Sequence, residues 1–430
     1  MGYKCSECGQ KTFYCKSCNS VHFRDNFAHW TSDDLNIDVL IQNSQLNAQF
    51  RNEFIEWIEY SNLENIKFIA HGGFGDVYEA IWKDGPICDG YVKPLWNINK
   101  SKWNRDNRKK VAIKKFRNMT SVSAEFLNEV KNSLSLNNIH YLNHIYGVTH
   151  DPQNGEYAIV IEFNNGGSLR ELIKKNYSIL NWELIIKIFN EISLGLTSIH
   201  ASNYYHKDFH SGNILNSVHD STINTVISDF GLCCSVDQHS ADKAIYGVLP
   251  FVAPEVLCGG EFTKAADIYG FGILMSEIIS GEPPFIDRDY DLHLALDICK
   301  GKRPLIPEYT PEPYAALMKL CLDPVPTNRP TAGKLCTQFN YWIYEKEIKE
   351  EFSQEREDMW KARLTELAIN PRPMKKSQNL LTSKRFDDSK HLSQLLETKD
   401  NGIKPDDIYH TRQKTNVTRK NRKIHIICRL

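Results

Sequence analysis

An α+β chain in two lobes, the first small and β-rich, the second larger and helical, is what three observations predict. From about Leu63 the sequence is strand-like, as in Val77-Tyr78-Glu79-Ala80-Ile81 and Val111-Ala112-Ile113. At Trp182 the apolar spacing changes to that of a helix, with Leu184, Ile185, Ile188, Ile192, Leu196 and Ile199 on one face. The third observation is size: 430 residues, 41% of them hydrophobic, exceed the usual single domain and can bury a substantial core. One large domain with appendages is therefore expected.

Taken in order, residues 1–20 hold paired cysteine motifs. Residues 21–62 read as a helical lead-in, with Ile37, Leu40 and Ile41 and then Phe50, Phe54, Trp57 and Ile58 at helical spacing. The main domain spans 63–344 and carries a polar insertion at about 84–108, whose Pro86, Gly90, Pro94 and lysines predict a surface excursion. A charged helical extension covers 345–367. Residues 368–430, opening with Pro371 and Pro373 and growing more basic, read as a disordered tail.

A formal net charge of −1 argues against an overall nucleic-acid binder or a polybasic membrane protein. The stretch from Phe271 to Ile279 is too short to span a bilayer and carries Glu277. The first residues are polar and cysteine-rich, unlike a secretory leader. Of 12 cysteines, four cluster before residue 20 and the rest scatter, which predicts a reduced, intracellular protein of the cytoplasm or nucleus.

Four strings carry the chemistry: Val111-Ala112-Ile113-Lys114, His206-Lys207-Asp208-Phe209-His210-Ser211-Gly212-Asn213, Asp229-Phe230-Gly231 and Ala253-Pro254-Glu255. A glycine-rich turn, Gly72-Gly73-Phe74-Gly75, precedes them between two strand-like runs. Lys114 ends a buried apolar run, where an unpaired ammonium would be expensive, so it needs partners. In this order the strings closely resemble the eukaryotic protein kinases, a resemblance that covers about two thirds of the chain.

That resemblance implies a two-lobed protein-kinase fold that transfers the γ-phosphate of ATP to protein substrates. Mg²⁺ would be the metal, with Mn²⁺ as its substitute. Lys114 would meet the α- and β-phosphates and pair with Glu129, with Glu125 one turn earlier as a weaker match. Asp208 would orient the acceptor hydroxyl and take its proton; Asn213 and Asp229 would hold the metal, whose preference is for oxygen ligands. Ala70, Gly72, Gly75 and Val77 would cover the nucleotide, with Ala70 standing where the first loop glycine is usual. Ala112 and Leu215 would belong to the nucleotide site, Ile161 would stand behind the adenine, Glu162 and Phe163 would form the hinge, and Ser168 would lie near the ribose. Asp267 would brace the catalytic loop, and Arg329 would pair with Glu255.

Some positions depart from the common pattern. Lys207 replaces the arginine before Asp208 and keeps the charge without the planar bidentate grip. His210 and Val248 stand where Ser/Thr kinases usually carry lysine and threonine. Phe163 with Gly166-Gly167-Ser168-Leu169, and the strings from His206 to Leu215 and Asp229 to Leu232, resemble the tyrosine-kinase-like group. The Cys-rich start and Val248-Leu249-Pro250-Phe251 suggest an expanded fungal branch of it. Between Cys233 and Tyr246, Ser235, Ser240 and Tyr246 are offered as phosphorylation sites.

Cys5-x2-Cys8 and Cys15-x2-Cys18 form two tight knuckles able to converge on one tetrahedral Zn²⁺. With so few apolar residues, that segment would fold only with its metal. The expectation is an active protein kinase, Ser/Thr-directed rather than Tyr-directed. The alternative is a pseudokinase or zinc-linked signalling adaptor that binds nucleotide or partners without transfer.

Overall fold

The computed structural model describes residues 4–12, 14–73, 75–87, 94–116, 122–175, 177–220, 222–235, 245–345, 350–373 and 383–386. Its first lobe is a six-stranded sheet ordered Glu56–Trp57, Ile145–Asp151, Glu156–Glu162, Lys109–Phe116, Gly75–Trp82 and Leu63–His71. All neighbours are antiparallel except the first pair. Because side chains alternate across a strand, Val111 and Ile113 enter one cluster with Trp82, Tyr146 and Val160, while Ala112 and Lys114 point the other way.

Helix Ala124–Leu136 packs on this sheet. Ser123 caps it by accepting the Phe126 N–H, and Phe126 and Val130 bury against Phe116, Tyr157 and Ile159. The lead-in helix Leu35–Asn47, capped by Asp34, drives Ile37 and Ile41 into the same cluster. So the lead-in is part of the lobe.

Its second half is not helical as expected. Ile55 and Ile58 are fully buried, and Glu56–Trp57 runs as a strand beside Ile145–Asp151, with the Ile58 N–H donating to the Val148 carbonyl at 2.9 Å. The spacing of Phe50, Phe54, Trp57 and Ile58 imitates a helix, but ladder hydrogen bonds at the sheet edge win. Gly147 permits the pairing, since a Cβ there would lie 2.0 Å from the Glu56 carbonyl oxygen.

The insertion is also more than a surface excursion. It buries Ile87 and Leu95 and forms a hairpin of Trp96–Asn97 and Lys102–Trp103. Helix Lys16–Asn26 lies against that hairpin: His22 stacks on Trp96 with ring centres 4.0 Å apart, and Phe23 stacks on Trp103 at 4.3 Å. Aromatic area on both sides supplies the attachment that the polar composition concealed.

The second lobe centres on helices Trp182–Ala201, Lys264–Ser280, Glu312–Cys321 and Ala332–Tyr344, with Phe189, Phe271 and Phe339 at their contact. Trp182–Ala201 is the one described helix long and apolar enough to cross a membrane, and more than half of that stretch is buried in this core. Helix Gln354–Ile369 docks through Trp360, which stacks on Trp182 at 4.7 Å, and Glu357, which accepts the Trp182 N–H at 2.8 Å. In the tail, read from sequence as disordered, Lys384–Phe386 is a strand paired with Ile245–Gly247. The backbone of that partner strand supplies the order that local composition lacks. Residues 374–382 and 387–430 lie outside the described residues.

Candidate active site

Lys114 emerges from the central strand on the face shared, through direct cross-strand pairing, with Val77, and Ala112 with Ile161. Its ammonium lies 2.7 Å from Glu129 and 2.9 Å from Asp229. One cation thus ties the sheet, helix Ala124–Leu136 and the segment Asp229-Phe230-Gly231 together. Burial works against the Lys114 charge, but the Asp229 and Glu129 carboxylates outweigh it and hold the group above lysine's ordinary range. Glu125 is exposed and takes no part in this cluster.

Asp208 is buried on a loop whose geometry is enforced from below. Asp267 accepts the N–H groups of His206 and Lys207 at 3.0 and 3.2 Å and the His200 Nε2 at 2.8 Å. Lys207 and Asp229 both hold φ near +65°, a left-handed conformation that costs side-chain-bearing residues energy and needs such bracing. Arg329 closes on Glu255 with two 2.7 Å bonds, as expected.

Around the carboxylate, Asn213 Nδ2 donates to the Asp208 carbonyl at 2.9 Å and to its Oδ2 at 3.1 Å. His210 Nδ1 accepts the Gly212 N–H at 3.0 Å, which leaves Nε2 as the donor; it lies 3.4 Å from Asp208 Oδ1. Burial presses the Asp208 carboxyl upward, yet the His210 imidazole and a hydrogen-bonded hydroxyl outweigh it and hold the group below the usual carboxylate range. Its surroundings thus favour the carboxylate form.

That hydroxyl belongs to Ser383, the residue before the tail strand, whose Oγ donates to Asp208 Oδ2 and accepts from His210 Nε2 at 3.1 Å. Ser383 is buried, and a Cβ on Gly73 would lie 3.1 Å from its carbonyl oxygen. Sequence reasoning missed it. No local pattern reports a contact 175 residues away, and His210 registered only as a departure from pattern.

The oxygens near Lys114 fit a hard divalent cation. Asn213 spends its amide nitrogen on Asp208, and neither its Oδ1 nor Asp229 Oδ2 has a protein donor among the described residues. Along the cleft, Ala70 pairs with Val77, and the Gly72 N–H donates to the Gly75 carbonyl at 2.7 Å to close the turn. Ser168 pairs with Leu215 across two short strands. The Glu162 N–H is taken by the His144 carbonyl, and Lys110 Nζ lies over the Phe163 ring at 4.1 Å. Of the offered phosphorylation sites, Tyr246 faces Arg385 in the tail pairing, Ser235 pairs with Tyr204, and Ser240 lies outside the described residues. Far from this cleft, the sulfurs of Cys5, Cys8, Cys15 and Cys18 all lie within 4.8 Å of one another.

A β-rich lobe over a helical lobe, with a lysine, three carboxylates and an asparagine converging between them, defines a protein kinase domain. The chain belongs to the family of protein tyrosine and serine/threonine kinases, which it matches over residues 63–339. It is similar to a probable serine/threonine-protein kinase of Dictyostelium discoideum, 30% identical over 284 residues, which are 65% of this chain and 16% of that protein. A second such Dictyostelium discoideum protein is 28% identical over 294 residues, 67% of this chain and 20% of the relative. A putative serine/threonine-protein kinase/receptor of Acanthamoeba polyphaga mimivirus is 26% identical over 330 residues, 74% of this chain and 18% of the relative. The match thus spans at most a fifth of these relatives' own length.

Proposed function

We propose that this chain is an active protein kinase that moves the γ-phosphate of ATP to serine or threonine hydroxyls of proteins. The observation that carries the reading is Lys114 held between Glu129 and Asp229 beside an Asp208 whose surroundings favour the carboxylate form. In this reading Lys114 neutralises nucleotide phosphates while Glu129 fixes its position. Asp208 orients the acceptor hydroxyl and takes its proton, and Asn213 and Asp229 hold Mg²⁺. Mg²⁺ would supply charge neutralisation at the phosphate oxygens. Val77, Ala112, Ile161 and Leu215 form the apolar part of the nucleotide site, with Glu162, Phe163 and Ser168 at its margin. The names of the Dictyostelium relatives support serine/threonine direction. Membership of the tyrosine-kinase-like group rests on Phe163, Gly166 to Leu169 and the loop from His206.

Asp208→Asn tests the reading. Transfer to a separate serine peptide should fall about 100-fold or more, while the ATP-induced rise in melting temperature persists. Lys114→Met should lose transfer as well. Wild-type protein with neither transfer nor an ATP shift would favour the pseudokinase reading.

We also propose one structural Zn²⁺ per chain on Cys5, Cys8, Cys15 and Cys18. A tetrahedral site with Zn–S of about 2.3 Å sets sulfurs about 3.8 Å apart, and Cys5 and Cys18 stand at 3.8 Å, Cys8 and Cys15 at 3.5 Å. Metal analysis should find one equivalent, and Cys15→Ser should lose it.

A further inference from the structure

We propose that Ser383 is an intramolecular phosphoacceptor: the kinase domain phosphorylates its own C-terminal tail, and Ser383-Lys384-Arg385-Phe386 occupies the place of a peptide substrate. This inference rests on the kinase reading above and names a first substrate for that site.

Three independent contacts place Ser383 as an acceptor. Its hydroxyl donates to Asp208 Oδ2, the carboxylate assigned to receive the acceptor's proton. His210 Nε2, fixed as a donor by the Gly212 N–H on its other nitrogen, donates to the same oxygen at 3.1 Å. That geometry directs the serine proton to Asp208 and leaves an Oγ lone pair free to attack. From above, Gly73 of the glycine-rich turn approaches the Ser383 backbone so closely that any side chain there would press on it. Acceptor, base and phosphate-covering loop therefore meet at one point.

The backbone fixes the register of the segment. Gly247, Tyr246 and Ile245 pair antiparallel with Lys384, Arg385 and Phe386, so the tail joins as an added strand on Ile245–Gly247. Main-chain pairing of this kind holds an extended peptide whatever its side chains and brings one residue, Ser383, onto the base. A segment serving only as a plug would need no hydroxyl at that position.

The step balances. Ser383 Oγ bonds to the γ-phosphorus of ATP as the bond from that phosphorus to the β–γ bridging oxygen breaks. The hydroxyl proton passes to Asp208 and then to solvent, leaving phosphoserine and ADP. No oxidant or further reactant is needed.

The test uses the full-length chain, stripped of phosphate by a phosphatase that is then removed, and given ATP and Mg²⁺. Intact mass and peptide mapping follow Ser383, and a separate serine peptide of unrelated sequence is assayed in parallel. Phosphate should appear at Ser383, at a rate per chain that stays constant over a 100-fold dilution, as an intramolecular reaction requires. Ser383→Ala should abolish that site, and Ser383→Thr, which keeps the hydroxyl, should retain it at a lower rate. Transfer to the separate peptide with Ser383 unmodified would overturn the inference and leave the kinase reading standing. A Ser383 rate that falls in proportion to dilution would overturn the intramolecular assignment. If neither acceptor is labelled, the kinase reading fails and takes this inference with it.

Discussion

His210 is held in one tautomer: with Nδ1 occupied by the Gly212 N–H, the ring can only donate through Nε2, toward whatever hydroxyl stands on Asp208. A lysine at this position would offer a charge on a flexible stem, whereas the imidazole offers one aimed proton. His210→Ala should therefore lower kcat about tenfold, the worth of one positioning hydrogen bond of about 1.4 kcal/mol. The KM for ATP should barely move, because the partners of His210 are Gly212, Ser383 and Asp208 rather than residues of the nucleotide site. Steady-state kinetics with a serine peptide check it.

A second histidine bears on stability. Burial, assisted by the Lys109 charge, lowers His144 to about 4 from its ordinary 6.5. The unfolded chain takes up this proton as pH falls below about 6.5, and the folded chain does so only near 4. Stability from this group is thus full above 6.5 and lost between 6.5 and 4, by at most about 3 kcal/mol. Urea unfolding at pH 7 and pH 5 should show the loss, and His144→Gln should reduce it. Residues such as Lys114 and Asp208 are legible in sequence because phosphate chemistry demands their types at set spacings. His144 is not, because its shift comes from a surrounding that only the fold assembles.

At the scale of elements, the helix Gln354–Ile369 shows what sequence can and cannot deliver. Its charge pattern announces a helix, capped by Ser353 through the Arg356 N–H, but nothing local says where it docks. The docking resides in Trp360, fully buried on Trp182 with ring planes 10° apart. Trp360→Ala should cost about 3–5 kcal/mol and detach the helix. Hydrogen exchange along Gln354–Ile369 should rise well beyond that of the large-lobe core. The same limit explains the segment around Trp57. Apolar residues three and four apart are shared by a helix and by a short strand flanked by anchors, and only the vacant edge at Ile145–Asp151 decides between them. The tail strand Lys384–Phe386 likewise has no local pattern of its own, since its partner is the distant Ile245–Gly247.

Across the whole molecule, the two-lobe division and the order of the site motifs are readable from the change of period at Trp182 and the spacing of the four strings. The attachments are not. Helix Lys16–Asn26 reaches the insertion through rings that, in sequence, lie in polar surroundings, and the lead-in finishes the first sheet from outside the family's limits, which begin at residue 63.

Glu56–Trp57 also bears on colloidal behaviour. A chain begun at Leu63, where the family match starts, would leave the Ile145–Asp151 strand as a bare margin. That strand holds Ile145, Tyr146 and Val148, all buried in the intact protein, beside unpaired peptide groups. Such a margin is a template for a second molecule. Shortened protein should therefore self-associate at micromolar concentration, visible as rising light scattering, while the full chain stays dispersed. Equal scattering from both would mean that another segment guards the edge.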